Sequence, residues 1–570
     1  MRRIKCLVAA LLLCLTLCGC AEQEEPLPLC ENAPEIAYVP LDDRPDNYER
    51  VEYLAGSLGY ELVMPDKDLF ATRLNGQPKN SGGTQYGDRA ALYEWVLEQE
   101  ALGCDRYIIF TDQLLSGGLV NSRAMSESEP VTLSDGSVMS ERELLESLVE
   151  VLGADENNRV WLLDTVMRLA PTVGYQHWDY AGYEALRAYA EQPRPVLESM
   201  SLEAVKASYR MSEDGGEVSA EEYGLSAQEI DEYLSARSRK LALSDDMLGI
   251  LSGKSGFRVL IGIDDSSSEY CIQKNEIEYL RSLLREGDAL LSGVDDLAFK
   301  AVSRLYLDEI GWSGGDIEVS YFGATEDQPA CIYDYRALEE VVAEHLDFFD
   351  LSEREGAQLQ LIVLTQPEDY EARGEYFSAL TSTLRENEKH GRLSALIDAS
   401  DSRYGLEFQE YIIKRFDLGS LVAYSGALDM AIVTGTALSH AVSRYAFLQN
   451  GSDTQQSREA WCRSLADSVI KDFCYRNIAR AQVAAYVDEQ LGGNHDNMYL
   501  PGVDIDAVRE YMSELMGDLS RPVVRNLEGS RLVCTLEPSA TSRWWDISLS
   551  DYDFPWSRTF EISMKINFKY

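Results

Sequence analysis

The chain has 570 residues, with 97 acidic against 51 basic side chains and 45% hydrophobic letters. That composition excludes a disordered protein and allows about three or four domains, or one large α/β body with appendages, built without disulfide staples or structural metal. A formal charge of −46 excludes nucleic acid and anionic lipid surfaces as partners, because phosphate binding needs Lys and Arg to displace counterions and no basic run follows the N-terminus. The plain reading of the acidity is a solvated surface.

The first element is a leader. Arg2, Arg3 and Lys5 form a positive start, and Cys6 to Gly19 form an apolar stretch too short to cross a bilayer as a helix. Leu17-Cys18-Gly19-Cys20 resembles the bacterial lipoprotein signal. The resemblance implies a signal peptide over residues 1–19, a diacylated anchor at Cys20 and an extracytoplasmic mature chain that meets the membrane only through its lipid; an ordinary secretory signal is the alternative. Residues 20–34, polar and proline-containing, read as a tether. No later segment has transmembrane length.

From 35 to 450, short β-branched or apolar runs alternate with amphipathic stretches, the pattern of βαβ units around a largely parallel sheet. The strand runs begin at Ile36, Glu61, Arg106, Arg159, Arg258, Glu318, Leu359, Ser394 and Leu421, with a weaker tenth at Ala289. Between about 180 and 256 no strand is evident, and helical patterns broken by SEDGG read as an insertion. Residues 451–525 are helical. In 526–570 the alternation of Phe560, Ile562, Met564, Ile566 and Phe568 with polar residues predicts a half-buried strand; with LVCTLEP and WWDISL before it, the tail reads as a small antiparallel β appendage. The fold class is therefore α/β with a parallel sheet, read as TIM-barrel-like, with a doubly wound open sheet as the alternative.

Seven cysteines follow Cys20, at Cys30, Cys104, Cys271, Cys331, Cys462, Cys474 and Cys534. They are scattered and show no CxxC, so neither a zinc ribbon nor a disulfide framework is indicated, although one or two bridges are allowed. The five histidines form no HExxH or HxH arrangement, so no cofactor is expected and any cation needs oxygen ligands, Mg2+ or Ca2+ on Asp42, Asp43 and Asp264 being the alternative.

Ligands of parallel α/β folds bind at the carboxyl ends of strands. Those positions carry Asp42, Asp43 and Arg44; Asp112, Gly117, Gly118, Asn121 and Arg123; Asp164 and Arg168; Asp264 and Asp265; and Asp398, Asp401 and Arg403. A single Asp there is ordinarily a helix cap or turn residue; repetition over five strands points to a polar cleft. Asp264-Asp265 is the sharpest element. Adjacent carboxylates at one strand end point in different directions, as in enzymes cleaving N-acetylhexosaminides, where the first orients the acetamide and the second protonates the glycosidic oxygen. Asp295-Asp296 reads instead as the capped start of a helix. Arg44, Arg123 and Arg168 suit a carboxylate, sulfate or phosphate on a ligand, or simply neutralise neighbouring Asp. No GxSxG elbow, P-loop or dinucleotide fingerprint is present.

The motifs Pro40-Leu41-Asp42-Asp43-Arg44-Pro45-Asp46-Asn47-Tyr48, Asp112 with Gly117-Gly118-Leu119-Val120-Asn121-Ser122-Arg123, Arg168-Leu169-Ala170-Pro171-Thr172 and Gly262-Ile263-Asp264-Asp265 resemble the bacterial family called domain of unknown function 4127. One departure is Gly426-Ala427-Leu428-Asp429, where the family pattern has Gly-Trp-Asn-Thr; if those positions meet a ligand, this member binds a different one or has lost activity. The expected function is a surface-anchored carbohydrate-active hydrolase. In it Asp264 orients an amino-sugar glycoside, Asp265 is acid and base, and Asp42, Asp43, Arg44, Asp112, Asn121, Arg123, Arg168 and Asp398 bind the substrate. Trp178 or Tyr404 is a candidate to stack on sugar, although a core role suits each better. The rival is a non-catalytic lipoprotein that captures a small polar solute or glycan.

Overall fold

The ten apolar runs all become strands. In the computed structural model, which describes residues 33–569 apart from 75, 125–128, 175–177, 268–269, 324–332, 368, 401, 452, 500–501 and 537–541, they sort, with an eleventh short strand at Leu351–Glu353, into two separate parallel sheets. The first contains β1 (Glu35–Val39), β2 (Glu61–Val63), β3 (Arg106–Phe110), β4 (Arg159–Val166), β5 (Phe257–Ile263) and β6 (Ala289–Ser292), in the order β2-β1-β3-β4-β5-β6. The second contains β7 (Gly315–Phe322), β8 (Leu351–Glu353), β9 (Leu359–Leu364), β10 (Leu393–Asp398) and β11 (Ala423–Gly426), in the order β8-β7-β9-β10-β11. Cys20 and the signal lie outside the described residues.

The α/β class with parallel sheets holds; the closed barrel does not form, and the doubly wound alternative is the one adopted. A barrel requires each new strand to join on the same side of the last. Here the chain returns after the second strand of each sheet and lays the third on the far side of the first, so each sheet keeps two edges and one point of reversal.

Alternation within the strands explains why both faces of the first sheet are covered. Ile36, Tyr38, Ile108, Phe110, Trp161, Leu163 and Leu260 enter one apolar core, while Ala37, Val39, Tyr107, Ile109, Val160, Leu162, Val259 and Ile261 enter the other. With two buried faces the strands read as continuous apolar runs rather than polar–apolar alternation.

The helices used below are α1 (Pro45–Ser57), α2 (Tyr180–Ala190), α3 (Ala227–Ile250), α4 (Leu297–Glu309), α5 (Met430–Asn450), α6 (Gln455–Ile470) and α7 (Ile505–Gly529). Proline in its first turn starts α1. Reciprocal bonding between Ser226 and Glu229 starts α3, the long helix of the insertion. After α6 the chain continues in π-helical geometry over Lys471–Ala479. The tail forms β12 (Asp546–Asp553) against β13 (Ser563–Lys569), antiparallel as expected. The LVCTLEP run forms no strand in its described residues; Arg531, just before it, makes an isolated bridge to Arg543. Cys104, Cys271, Cys462, Cys474 and Cys534 are free and buried.

Helix α4, which follows β6, packs on α5, which follows β11. This joins the last helices of the two sheets and brings the carboxyl ends of their strands together. The contact depends on Gly435: a Cβ there would lie 1.7 Å from Asp296 Oδ2 and 2.5 Å from Lys300 Cε, two side chains that form a fully buried ion pair of 2.7 Å. Gly435→Ala is therefore expected to destabilise the chain by about 1–3 kcal/mol through overpacking, seen as a lower urea midpoint at unchanged slope.

Candidate functional site

The carboxyl ends of β1, β3, β4, β5 and β6, the turn after β11 and the segment between β12 and β13 enclose a cleft of about 230 Å3. It lies where the two sheets meet, a common position for ligand sites in α/β proteins. Arg44, Arg123, Arg168, Asp264 and Asp265, all singled out from the sequence, line it. Asp295, Asp334, Asp429, Tyr333, Trp556 and Phe560 complete the wall.

Three carboxylates of the cleft wall, Asp264, Asp265 and Asp295, each meet an arginine. Arg44 lies between Asp42 and Asp295: its Nε and Nη2 donate to Asp42 at 3.0 and 2.8 Å, and its Nη1 and Nη2 donate to Asp295 at 2.9 and 2.6 Å. Asp42, fully buried, sits behind Arg44 rather than on the cleft wall. Burial pushes the Asp295 carboxyl up, with Arg44 opposing the shift. Arg123 pairs with Asp264 and donates to Thr172 Oγ1 at 2.8 Å. Burial lowers the Arg123 pKa, with the nearby Arg168 charge adding to the effect against Asp264. Arg168 pairs with Asp265.

Asp334 differs from these. Its carboxylate oxygens accept the Met430 and Ala431 N–H groups at 3.2 Å each, so it caps α5 from outside that helix. Burial raises its pKa to about 7, helped by the neighbouring charges of Asp429 and Asp265 against the two N–H donors. A carboxyl that keeps its proton near neutral pH beside ion-paired carboxylates is the usual provision for proton transfer.

The tail supplies the roof. Trp556 and Ser557 hold left-handed φ of 55° and 53°, a conformation that costs roughly 1–2 kcal/mol for residues other than Gly. Hydrogen bonds keep them there: Trp556 Nε1 donates to Asp43 Oδ1 at 2.7 Å, Gln77 Nε2 to Ser557 Oγ at 2.9 Å, and Met498 N to the Ser557 carbonyl at 2.8 Å. The Arg44 guanidinium sits 5.1 Å from the Trp556 ring centroid.

Four expected ligand contacts lie elsewhere in addition to Asp42. Asp43 is turned to Trp556 and accepts Thr72 N at 3.0 Å, and burial raises its pKa. Asp112 is buried against Lys240 of α3 at 2.7 Å, and Lys240 also pairs with Asp164 at 2.5 Å. Burial drives the Asp112 carboxyl up, with Lys240 opposing and Asp164 reinforcing the shift. Asn121 donates to the Ser116 carbonyl at 2.6 Å. Asp398 ends β10 in the second sheet, accepts Ser400 N at 3.2 Å and does not line the cleft. Trp178 and Tyr404 are buried. The physical reason is common to these: a strand-end carboxylate is drawn to the nearest buried donor, and which donor is nearest depends on the insertion, the tail and the local turn.

Sequence reasoning missed Asp334, Asp429 and Trp556. The strand-end rule reaches Asp429, three residues past β11, at the departure from the family pattern. Among the described residues the strand before Asp334 is β7, ending at Phe322, and Trp556 belongs to the appendage. Asp295, read as part of a helix start, turns to Arg44, while Asp296 next to it pairs with Lys300. Among the described residues no group of three or more His, Cys, Asp or Glu side chains is arranged to hold a metal ion. Asp42, Asp43 and Asp264, the carboxylates of the cation reading, engage Arg44, Trp556 and Arg123 respectively.

Fold and site together define a two-sheet, doubly wound α/β protein with a charged cleft at the strand carboxyl ends. Residues 36–565 match the family described as Protein of unknown function (DUF4127), and the chain belongs to that family. Among curated proteins none matches the sequence.

Lys240 is assigned here to stability. Lys240→Met leaves Asp112 and Asp164 buried without their cation and is expected to cost about 3–5 kcal/mol, measured by denaturant unfolding. Adding Asp112→Asn to Lys240→Met should recover part of that loss.

Proposed function

We propose that the cleft binds an amino-sugar glycoside and hydrolyses it by acid–base chemistry, with Asp334 as the acid. The observation that carries this reading is a carboxyl that stays protonated up to about pH 7, lining the same cavity as Asp265 in its pair with Arg168. Glycoside hydrolysis asks for that combination, one carboxylic acid to protonate the leaving oxygen and one carboxylate to assist water or the developing cation. Asp334 gives its proton to the glycosidic oxygen as the C–O bond breaks. Asp265 is the carboxylate that assists the attacking water, and Asp264, held by Arg123, orients the acetamide. Asp265 keeps the base's part of the role read from the sequence, while the acid's part passes to Asp334.

A second reading, capture of a polar solute or glycan without turnover, is favoured by one observation: Asp264, Asp265 and Asp295 already engage arginines. A panel of aryl N-acetylhexosaminides separates the two. For the hydrolase, wild-type turnover falls as pH rises through about 7, and Asp334→Asn lowers it at least ~100-fold while sugars still raise the melting temperature. Stabilisation by sugars with no wild-type turnover would leave only the binder. Stability supplies an independent check. With a pKa of 3.8 unfolded and about 7 folded, the native chain binds more protons than the unfolded one between those values, so Asp334 makes stability fall as pH rises through that window. Asp334→Asn should remove that fall, gaining on wild type from pH 5 to pH 8 in thermal unfolding.

The leader pattern supports a further part of the proposal, that Cys20 is lipidated and the body works outside the cytoplasm. No described helix is long and apolar enough to cross a membrane. Cys20→Ser is expected to abolish incorporation of labelled palmitate and to move the protein out of the membrane fraction; labelling that survives the substitution would remove the anchor.

A further inference from the structure

A cleft of about 230 Å3 falls below the roughly 300–1,000 Å3 of pockets that enclose a whole ligand. Anything larger than a single sugar must extend onto the rim, and one side of the rim is lined with aromatic rings. Tyr333, on the cleft wall, hydrogen bonds Tyr183 of α2. The Tyr183 ring stacks on Tyr180 at 6.1 Å between centroids and 24° between planes, and Tyr180 is 67% exposed. Arg168, the partner of Asp265, lies 5.6 Å from the Tyr183 ring.

The row continues toward the other end of α2. Arg187 sits 4.6 Å over the Tyr333 ring and donates to the Ser266 carbonyl at 2.9 Å. Beyond it the loop that follows Asp264-Asp265 packs on the helix end, Ile272 N donating to the Ala190 carbonyl at 2.9 Å. That loop presents Tyr270, 54% exposed, with Lys274 Nζ 4.5 Å over its ring. Helix α2 has 11 residues, hence a length of about 16 Å, and exposed rings stand at both its ends. Through Tyr183 and Tyr333 at one end, and through Arg187 and Ser266 at the other, both exposed rings connect to the cleft wall. These rings are interleaved with Glu184, Arg187 and Lys274, which matches a sugar, whose C–H faces stack on rings and whose hydroxyls take hydrogen bonds, better than a lipid chain.

We propose that the α2 rim, through Tyr180 and Tyr270, is a distal subsite that binds the continuation of a glycan chain whose end occupies the cleft. The substrate is then an oligosaccharide or polysaccharide rather than a free disaccharide, and the helical insertion is the device that selects for length. This rests on the sugar reading of the cleft and adds chain length to it.

Calorimetric titration of the full-length chain with N-acetylglucosamine and with its dimer and hexamer tests the idea. The wild type should bind the hexamer at least about tenfold more tightly than the dimer, and Tyr180→Ala and Tyr270→Ala should each remove much of that gain while leaving monomer affinity unchanged. Tenfold corresponds to about 1.4 kcal/mol. Tyr180→Trp should retain the gain. Equal affinity for dimer and hexamer in the wild type, or variants that lose monomer and hexamer binding alike, would overturn the subsite and leave the cleft reading standing. A wild type that binds none of the three sugars would overturn both.

Discussion

Bringing carboxylates together at the end of a parallel sheet is possible only if each finds a positive or neutral partner, because like charges in a low-dielectric interior repel strongly. Arg44 meets this need where it is greatest. Its guanidinium spans Asp42, from the end of β1, and Asp295, from the turn after β6, and so ties together two strands at opposite sides of the sheet. The same solution recurs beneath α1, where Arg50 and Lys471 contact Asp467 at 3.3 Å each and Arg476 reaches Asp46 and Asp472 at 2.5 and 2.6 Å. Breaking such a pair from one side leaves an uncompensated buried charge. In a chain with 97 acidic and 51 basic residues, the few buried cations therefore decide which acids can approach one another.

The cleft follows from that neutralisation and from the meeting of two sheets. Each sheet reverses its strand order once, and the packing of α4 on α5 directs the strand ends of the first sheet and the turn after β11 into one space. Asp334 and Asp429 come from the second sheet's side, and Asp264 and Asp265 from the first. Burial and the neighbouring charges of Asp429 and Asp265 raise the Asp334 pKa to about 7 against the two N–H groups it accepts. Two late parts of the chain then finish the site. The insertion supplies Tyr180 and Tyr183 on the rim, and the tail places Trp556 against Arg44 and Asp43.

The basic side chains near the strand ends divide between the core and the cleft wall. Lys240, from the insertion, takes Asp112 and Asp164 into the core, while Arg123 and Arg168, from the loops after β3 and β4, keep Asp264 and Asp265 at the surface of the cleft. The difference is one of reach: a lysine on a helix packed over the sheet meets acids pointing into that face, whereas the loop arginines extend beyond the strand ends.

The residues themselves determined the strands. Runs such as Arg106–Phe110 and Leu359–Leu364 are apolar and β-branched over the full strand length because both faces of a parallel sheet are buried, and that property is local. The polar positions after them are local too, and of the residues read there as candidates Arg44, Arg123, Arg168, Asp264 and Asp265 line the cleft. Tertiary structure alone decided between barrel and open sheets, since that depends on the side of β1 to which β3 is added, and no local pattern encodes it. It also decided that Asp112 and Asp398 serve other neighbourhoods, and that Asp334 and Trp556, which come from outside the parallel strand ends, enter the cleft. A carboxylate's role is set by the charge and solvent around it, and those surroundings come from residues hundreds of positions away in the chain.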